Sequence, residues 1–456
     1  MSKFLFEEFD AVSAKQWKQK IQVDLKGADY NDTVVWKNTE GIDVKPFYHS
    51  DDFQEKFSPI PGHPKNWSIA QEVFIDDESI ANDLILESLK NGAEAIVITS
   101  AKEFNPSVVF KDFTFDGTTI YFHLQFLAES FFFQLQQFLS EKKAIVFYNI
   151  DIIGNLARSG NWYSNLKQDH TILEKIVSES SAKRILSVDT GLYQNAGATM
   201  VQQLAYALAH AVEYLNHFES KGYQKLEITF HVATGSNYFF EIAKIRALRK
   251  LYALLASEFS LSETCHVVAR PSKRNKTIYD YNVNMLRTTT ECMSAVLGGA
   301  NTIGNLPYDY LYHKSNEFGE RISRNQLLIL KAESYFETAS NPADGTYYIE
   351  QLTKDLAEKS LALFKDIERN GGFLVQLKEG TIQRKIKESA DKEQDLFDDG
   401  KLILLGTNKH PNANDRMKDD LELYPFVKTN VRKTLIRPII EQRLAEKTEQ
   451  ERLNHE

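Results

Sequence analysis

The chain has 456 residues, 42% of them hydrophobic and 26% charged, which is the composition of a globular protein and excludes global disorder. Its formal net charge of -9 excludes nonspecific nucleic-acid binding, because phosphate backbones require a basic surface, although a local basic stretch can still hold one small anion. The length suits one large barrel domain with extensions or two to three domains of average size.

The N-terminal residues, 1–57, predict a helix followed by an extended arm. Three prolines and a glycine in SPIPGHPKNW, at 58–67, then break any regular element and mark a boundary. The first ten residues, MSKFLFEEFD, carry acids where a signal peptide has its apolar run, and no apolar stretch is long enough to span a bilayer. We therefore expect a soluble, cytoplasmic protein that does not bind a membrane.

From residue 67 the sequence repeats one theme, an apolar β-branched run followed by a helical pattern such as DESIANDLILESLKNG at 77–92. Eight runs predict strands, at 67–75, 93–100, 118–126, 143–150, 184–191, 225–233, 265–272 and 300–307. Eight strands with interposed helices predict an α/β fold, a closed (β/α)8 or TIM barrel over residues 58–400. A doubly wound open sheet is the alternative.

The C-terminal part is predicted to be helical. Helical spacing continues from residue 310 through ELYPF at 422–426, and the charged end at 437–456 predicts an amphipathic helix. Residues 401–456 are thus expected to form a tail beyond the barrel.

Metal and nucleotide motifs are absent from the sequence. None of the eleven histidines forms an H-E-x-x-H pair or has the neighbouring cysteines of a zinc site, so we predict no metal site. The two cysteines, Cys265 and Cys292, lack disulfide or metal spacing and indicate a reducing compartment. No glycine-rich phosphate loop or G-x-S-x-G elbow occurs. Small residues do open two helical patterns, at 195–215 and 233–250, where free N–H groups receive an anion; close packing explains them equally well.

One basic cluster follows a predicted strand. Arg270, Lys273, Arg274 and Lys276 lie where they would meet the phosphates of a nucleotide-bearing substrate. A solvated basic loop is the competing interpretation.

The corner ILSVDTGLYQNAGAT, at 185–199, predicts a buried strand, a tight turn at Gly191 and the start of a long apolar helix. Such corners usually present catalytic side chains. This one offers Leu192, Tyr193, Gln194 and Asn195, and no imidazole, thiol or unambiguous acid or base.

Four long motifs resemble the adenosylcobalamin-dependent acyl-CoA mutases, and most closely the methylmalonyl-CoA mutase family. They are TEGIDVKPFY at 39–48, the stretch KTIYDYNVNMLRTTTECMSAVLGGANTIGNLPYD at 276–309, SRNQLLILKAES at 323–334 and NPADGTYYIEQLTKDLAEKSLALFKDIERNGGF at 341–373. The resemblance runs from about residue 36 to about residue 410. It implies a barrel whose axis is threaded by the pantetheine arm of an acyl-CoA, and a mouth at which a flavodoxin-like domain presents cobalamin.

Catalytic residues of the family are missing here. The family's substrate histidine aligns with Leu192, which cannot donate a hydrogen bond to a carbonyl oxygen. Its arginine and tyrosine on the first barrel strand align with Ala70 and Glu72. The cobalt-ligating D-x-H-x-x-G is absent and the chain stops about fifty residues after the predicted barrel, so we expect no cofactor on this chain and adenosylcobalamin in a partner.

Bulky residues occur where the resemblance implies a lumen lined by small side chains. Tyr121, Phe147 and either Phe122 or His123 would plug it, depending on which strand face points inward. Arg158 matches an arginine of catalytic members. A vestigial acyl-CoA site would therefore consist of Arg158, Arg270, Lys273 and Arg274.

The resemblance implies the noncatalytic small (β) subunit of a heterodimeric methylmalonyl-CoA mutase, with residues 1–57 contacting the large catalytic subunit. The complex would interconvert (R)-methylmalonyl-CoA and succinyl-CoA. Two alternatives stay open: the substrate barrel of a split mutase that uses a separate cobalamin-binding chain, and a homodimeric module that senses acyl-CoA.

Overall fold

Eight parallel strands form the centre of the fold in the computed structural model, which describes residues 8–54, 56–219, 221, 226–338, 340–428 and 431–456. These strands are β3 Ser68–Ile75, β4 Ala95–Ser100, β5 Thr119–Leu124, β6 Ile145–Phe147, β7 Leu186–Asp189, β8 Ile228–Thr234, β9 His266–Pro271 and β10 Thr302–Gly304. Before them, β1 Trp36–Lys37 and β2 Asp43–Val44 form a small antiparallel pair.

The eight-stranded sheet curls into a barrel. Its order is β6-β5-β4-β3-β10-β9-β8-β7, so neighbours in the chain are neighbours in the sheet and β10 pairs with β3. Its two ends meet because Ile150 bridges Leu186 in parallel and the amide of Tyr148 donates to the carbonyl of Arg184 at 2.9 Å. All eight predicted strand positions and the TIM-type barrel are confirmed; residue 225, the first of the predicted strand 225–233, lies outside the described residues.

Helices cover the outside of the barrel, and β-branched residues such as Ile96 and Ile98 pack between sheet and helices. The helices are α1 Ala14–Asp24, α2 Tyr30–Val34, α3 Glu78–Lys90, α4 Pro106–Val109, α5 Glu129–Ser140, α6 Ile152–Ser159, α7 Leu166–Glu179, α8 Gly191–Asn195, α9 Met200–Glu219, α10 Tyr238–Glu258, α11 Val283–Gly298, α12 Glu317–Leu328, α13 Tyr347–Arg369, α14 Gly372–Lys378, α15 Thr381–Asp398 and α16 Glu446–Asn454. A 3-10 turn, Ser50–Asp52, and a π-helical turn, Ile329–Glu333, complete them.

Local signals set the ends of α3 as the sequence predicts. The Asp77 carboxylate accepts from the amides of Ser79 and Ile80 at the start of the helix. Gly92, with a φ of 97°, follows the end, where the left-handed conformation favours glycine. None of the helices in the described part of the chain is both long and apolar enough to cross a membrane.

The helical prediction for the C-terminal part is wrong in two places. The helix α15 ends at Asp398, and the predicted helix at 437–456 is reduced to α16, which begins at Glu446. Prolines at positions 411, 425 and 438 lack a backbone N–H, so helical hydrogen bonding is interrupted between α15 and α16. Residues 431–445, here named the strap, run instead as irregular chain across the carboxyl end of the barrel strands. Amides of Ile439 and Leu444 in the strap donate to the carbonyls of Ala157 and Arg274.

The pH dependence of stability is predicted from Glu368 near the end of α13. Burial and the neighbouring Glu213 carboxylate raise its pKa from 4.5 to about 7. The folded state therefore binds a proton that the unfolded chain has lost, and stability falls as the pH rises between these two values. We expect Glu368→Gln to remove this fall and to raise the unfolding temperature above that of the wild type at pH 8.

Thermal unfolding between pH 5 and pH 8 checks the prediction. The matched control is Glu358→Gln, a change at an exposed position of the same helix. Parallel pH profiles for wild type and Glu368→Gln would contradict it.

Candidate functional site at the barrel mouth

A layer of side chains fills the lower, amino-terminal half of the lumen. Tyr121 on β5 crosses the axis, and its hydroxyl lies 2.7 Å from His266 Nε2 and 2.7 Å from Thr302 Oγ1. Its ring stacks on Phe147, with centroids 4.6 Å apart. Ala70 packs in the same buried cluster. We call Tyr121, Phe147, His266 and Thr302 the lumen layer.

The side chains of β5 alternate between the lumen and the helix side of the barrel. Tyr121 and His123 point into the barrel, whereas Phe122 packs against Phe104 and Phe110 on the helix side. Of the residues expected to plug the lumen, Tyr121 and Phe147 do so, because both belong to the buried cluster inside the barrel.

Two ion pairs line the mouth above this layer. Glu72 on β3 accepts from Arg270 Nη2 on β9 at 2.8 Å, and Thr99 Oγ1 donates to the same carboxylate at 3.1 Å. Arg158, in the last turn of α6, donates to Asp189 at the end of β7 at 2.5 Å. Burial opposes ionisation of Glu72, but the Arg270 guanidinium, the electrostatic interactions with His123 and Lys273 and the Thr99 hydrogen bond together outweigh it and hold the pKa of that carboxyl below its usual range.

Two histidines line the same space. Burial lowers the pKa of His123, and it lowers that of His231 on β8 to about 4 although Asp189 opposes the change. Both imidazoles are therefore neutral at physiological pH. Nε2 of His231 is buried without a hydrogen-bond partner among the described residues.

These residues do not fit cobalamin. His123 and His231 sit on the inner faces of strands, not on a loop that could extend an imidazole out to a cobalt ion above the mouth. No step through cobalamin is therefore assigned to residues of this chain. Separately, in the described ranges, no group of three or more histidine, cysteine, aspartate or glutamate side chains is arranged to hold a free metal ion.

The basic cluster divides between the mouth and the interior. Arg270 faces the mouth, and Lys273 Nζ lies 5.3 Å from the ring centroid of Tyr310 beside it. Arg274 is buried and donates to Glu393 at 2.5 Å and to the carbonyl of Gln442 at 2.8 Å. The structure thus brings Arg158, Arg270 and Lys273 together at the mouth and places Arg274 in the packing of the C-terminal residues.

Lys276, the fourth member of that cluster, is also internal. Its ammonium lies 2.7 Å from a Glu291 carboxylate oxygen, and both side chains are buried. Because opposite charge compensates it there, Lys276 is not presented to an anion at the mouth.

The corner after β7 is a structural junction. Leu192 on α8 is 1% exposed and packs in the main apolar core, not at the mouth. Asn195 Oδ1 accepts from Ser272 Oγ at 2.8 Å and from the amide of Lys273 at 2.9 Å, while its Nδ2 donates to Glu441 of the strap at 2.9 Å. The corner also departs from the predicted continuous helix, because α8 is short and a turn separates it from α9.

Both candidate anion sites at helix starts hold carboxylates of the chain itself. A Glu40 carboxylate oxygen accepts from the amide of Val201 at 3.0 Å, at the start of α9. Glu241 accepts from the amide of Gly235 at 2.7 Å, just before α10. These N–H groups are therefore already satisfied.

Sequence analysis missed His231 and Glu441 at the mouth. For His231 a signal exists: Phe230 and Val232 pack outward in the core, and strand alternation then points His231 inward. For Glu441 no local signal exists, because the strap reaches Asn195 from 246 residues away in the chain.

Comparison with known proteins identifies close relatives. Residues 107–454 match the family model described as methylmalonyl-CoA mutase. The chain is 32% identical to the methylmalonyl-CoA mutase small subunit of Porphyromonas gingivalis, over 92% of this chain and 73% of that one. It is 25% identical to the small subunit of Streptomyces virginiae, over 90% of this chain and 72% of that one. The large subunit of Propionibacterium freudenreichii is 32% identical, over 55% of this chain and 36% of that one.

The lumen layer predicts the effect of Tyr121→Phe. Removing the hydroxyl leaves His266 and Thr302 without this partner inside the barrel, so we expect the free energy of unfolding to fall by about 1–3 kcal/mol. Chemical denaturation measures it. The control is Tyr424→Phe, whose ring is 61% exposed and which we expect to leave stability unchanged. Equal stability of the two variants would contradict the prediction.

Proposed function

The chain belongs to the methylmalonyl-CoA mutase family, and we propose that it is the noncatalytic small subunit of a heterodimeric methylmalonyl-CoA mutase. In this role it binds no cofactor and supports a large subunit that holds adenosylcobalamin and interconverts (R)-methylmalonyl-CoA and succinyl-CoA. One observation carries the proposal: the lumen layer occupies the barrel axis that the family resemblance assigns to the pantetheine arm.

Displacing the lumen layer would require a large free energy. An extended pantetheine chain needs a continuous channel, whereas Tyr121 here is hydrogen-bonded across the axis and stacked on Phe147. Removing one large aromatic ring from a packed interior costs about 3–5 kcal/mol. An acyl-CoA would have to supply that free energy before gaining any contact with the lumen.

The mouth supports the same conclusion. Two of its three cations are matched by acids, Arg158 by Asp189 and Arg270 by Glu72, which weakens the attraction of the mouth for an anionic substrate. Leu192, at the family's histidine position, is buried in the apolar core, and its side chain has no hydrogen-bond donor.

Relatives support a paired assembly. The chain matches proteins named as small subunits over nine-tenths of its length, and it also matches a protein named as a large subunit. A chain that shares a barrel with a larger homologous subunit is suited to pair with it. The N-terminal helix and arm, residues 1–57, are proposed to contribute to that contact.

A second candidate function is the substrate-binding barrel of a split mutase that uses a separate cobalamin-binding chain. The observation in its favour is the meeting of Arg158, Arg270 and Lys273 at the mouth. Opening of the two ion pairs would free these cations for the anionic acyl group or the phosphates of an acyl-CoA.

The first experiment is affinity purification of the tagged chain from its own host, followed by native mass spectrometry of the coeluting proteins. We expect a one-to-one complex with a larger mutase chain that carries cobalamin. Isothermal titration with methylmalonyl-CoA is expected to give no heat with the isolated chain. A homodimer that binds acyl-CoA and coelutes with a small cobalamin protein would overturn the proposal in favour of the split mutase.

Restoring the family's histidine is predicted to damage the fold without creating activity. In Leu192→His an imidazole replaces a side chain that packs in the apolar core, so we expect a loss of about 2–4 kcal/mol in the free energy of unfolding. The control is Leu166→His at the start of α7, where the leucine is 42% exposed. Mutase turnover by Leu192→His alone, with added adenosylcobalamin, would show that the chain is a latent enzyme.

A further inference from the structure

The first part of the strap is both basic and apolar. Its first ten residues, 431–440, carry three cations and no acid, although the whole chain has a formal net charge of -9. The sequence VRKTLIRPII alternates these cations with aliphatic residues. A basic, apolar segment therefore lies on the surface of an acidic protein.

Buried anchors fix the strap in place. Ile436 and Ile439 insert into the core, and the amides of Leu435 and Ile436 donate to the carbonyl of Gly160 at 3.0 and 3.1 Å. Gly160 has a φ of 78°, and a Cβ there would lie 2.7 Å from the carbonyl oxygen of Ile436, so glycine permits this close approach. The outward side chains thus stand on a fixed backbone.

The outward side chains form a mixed apolar and cationic row. Val431, Leu435 and Ile440 are 103%, 64% and 52% exposed. Lys433 and Arg437 are exposed as well, and neither forms an ion pair with a carboxylate in the described part of the chain. Three exposed aliphatic residues on one anchored segment, with unpaired cations between them, are typical of an interaction surface.

We propose that the outward face of the strap binds to an acidic surface patch of the large mutase subunit. In this patch, acidic residues surround exposed apolar side chains. This inference rests on the proposed function. The exposed, unpaired cations of the strap attract an acidic partner surface, which the net negative charge of the whole chain would otherwise repel. The aliphatic residues add apolar burial, and the fixed backbone lowers the conformational entropy lost on binding.

A partner bound to the strap would lie beside the barrel mouth. Through Asn195, the strap reaches the loop that carries Lys273, and Arg432 donates to the carbonyl of Ser159, next to Arg158. A partner seated on the strap therefore borders the two ion pairs of the mouth. The strap contact is additional to any contact made by the N-terminal arm.

Charge reversal tests the proposal on the full chain. Lys433→Glu/Arg437→Glu is compared with Lys365→Glu/Lys378→Glu, which makes the same change in net charge on exposed positions of α13 and α14. The measurement is the dissociation constant for the purified large subunit at low and high salt. We expect the strap variant to bind about tenfold more weakly or worse, with a smaller salt dependence, and the control to match the wild type.

A neutral variant separates the apolar contribution and guards against misfolding. Leu435→Ser keeps the strap charges and is expected to weaken binding by several fold at both salt concentrations, with an unchanged thermal unfolding curve. Wild-type affinity in both strap variants would overturn the inference and leave the proposed function standing. If the wild type itself forms no complex with the large subunit, the proposed function fails and this inference fails with it.

Discussion

The fold depends on how the axis of the barrel is filled. Tyr121 reaches from β5 to His266 on β9 and Thr302 on β10, so one side chain joins strands on opposite sides of the barrel. Burial lowers the pKa of His266 to about 3, so its imidazole is neutral. A neutral imidazole suits a hydroxyl partner, because a hydroxyl can either donate or accept the hydrogen bond. The same contact that holds the barrel together closes its channel.

Above this layer, polar side chains serve the architecture more than they serve a ligand. Glu72 and Arg270 neutralise each other across the mouth, and Asn195 joins the loop after β9 to the strap. Arg274 then binds the strap to α15 through Glu393 and the carbonyl of Gln442. Nε2 of His231 is an exception among these groups, because it has no hydrogen-bond partner in the described residues.

The strands were predictable because each is a short β-branched run bounded by loops, and barrel closure follows from their number and order. The side-chain pairs were not, because Arg270 meets Glu72 across 198 residues and Arg274 meets Glu393 across 119. From sequence alone, Arg274 looks like a surface cation, since nothing local shows that it is buried and paired with a distant glutamate. The helical prediction beyond Asp398 failed because prolines at 411, 425 and 438 interrupt the helical pattern, and distant backbone contacts then determine the path of the strap.

The corner after β7 connects these observations. A group that acts on a substrate must keep an unsatisfied donor or acceptor near the site, which lowers the stability of the fold. Leu192 in the apolar core and Asn195 with its oxygen and amide both bonded leave no such group at this corner. Every polar atom named there has a partner within the chain, so the corner strengthens the packing of the barrel against its C-terminal residues. The corner thus contributes packing and no reactive group, while exposed cations without an ion pair among the described residues stand on the strap, at Lys433 and Arg437.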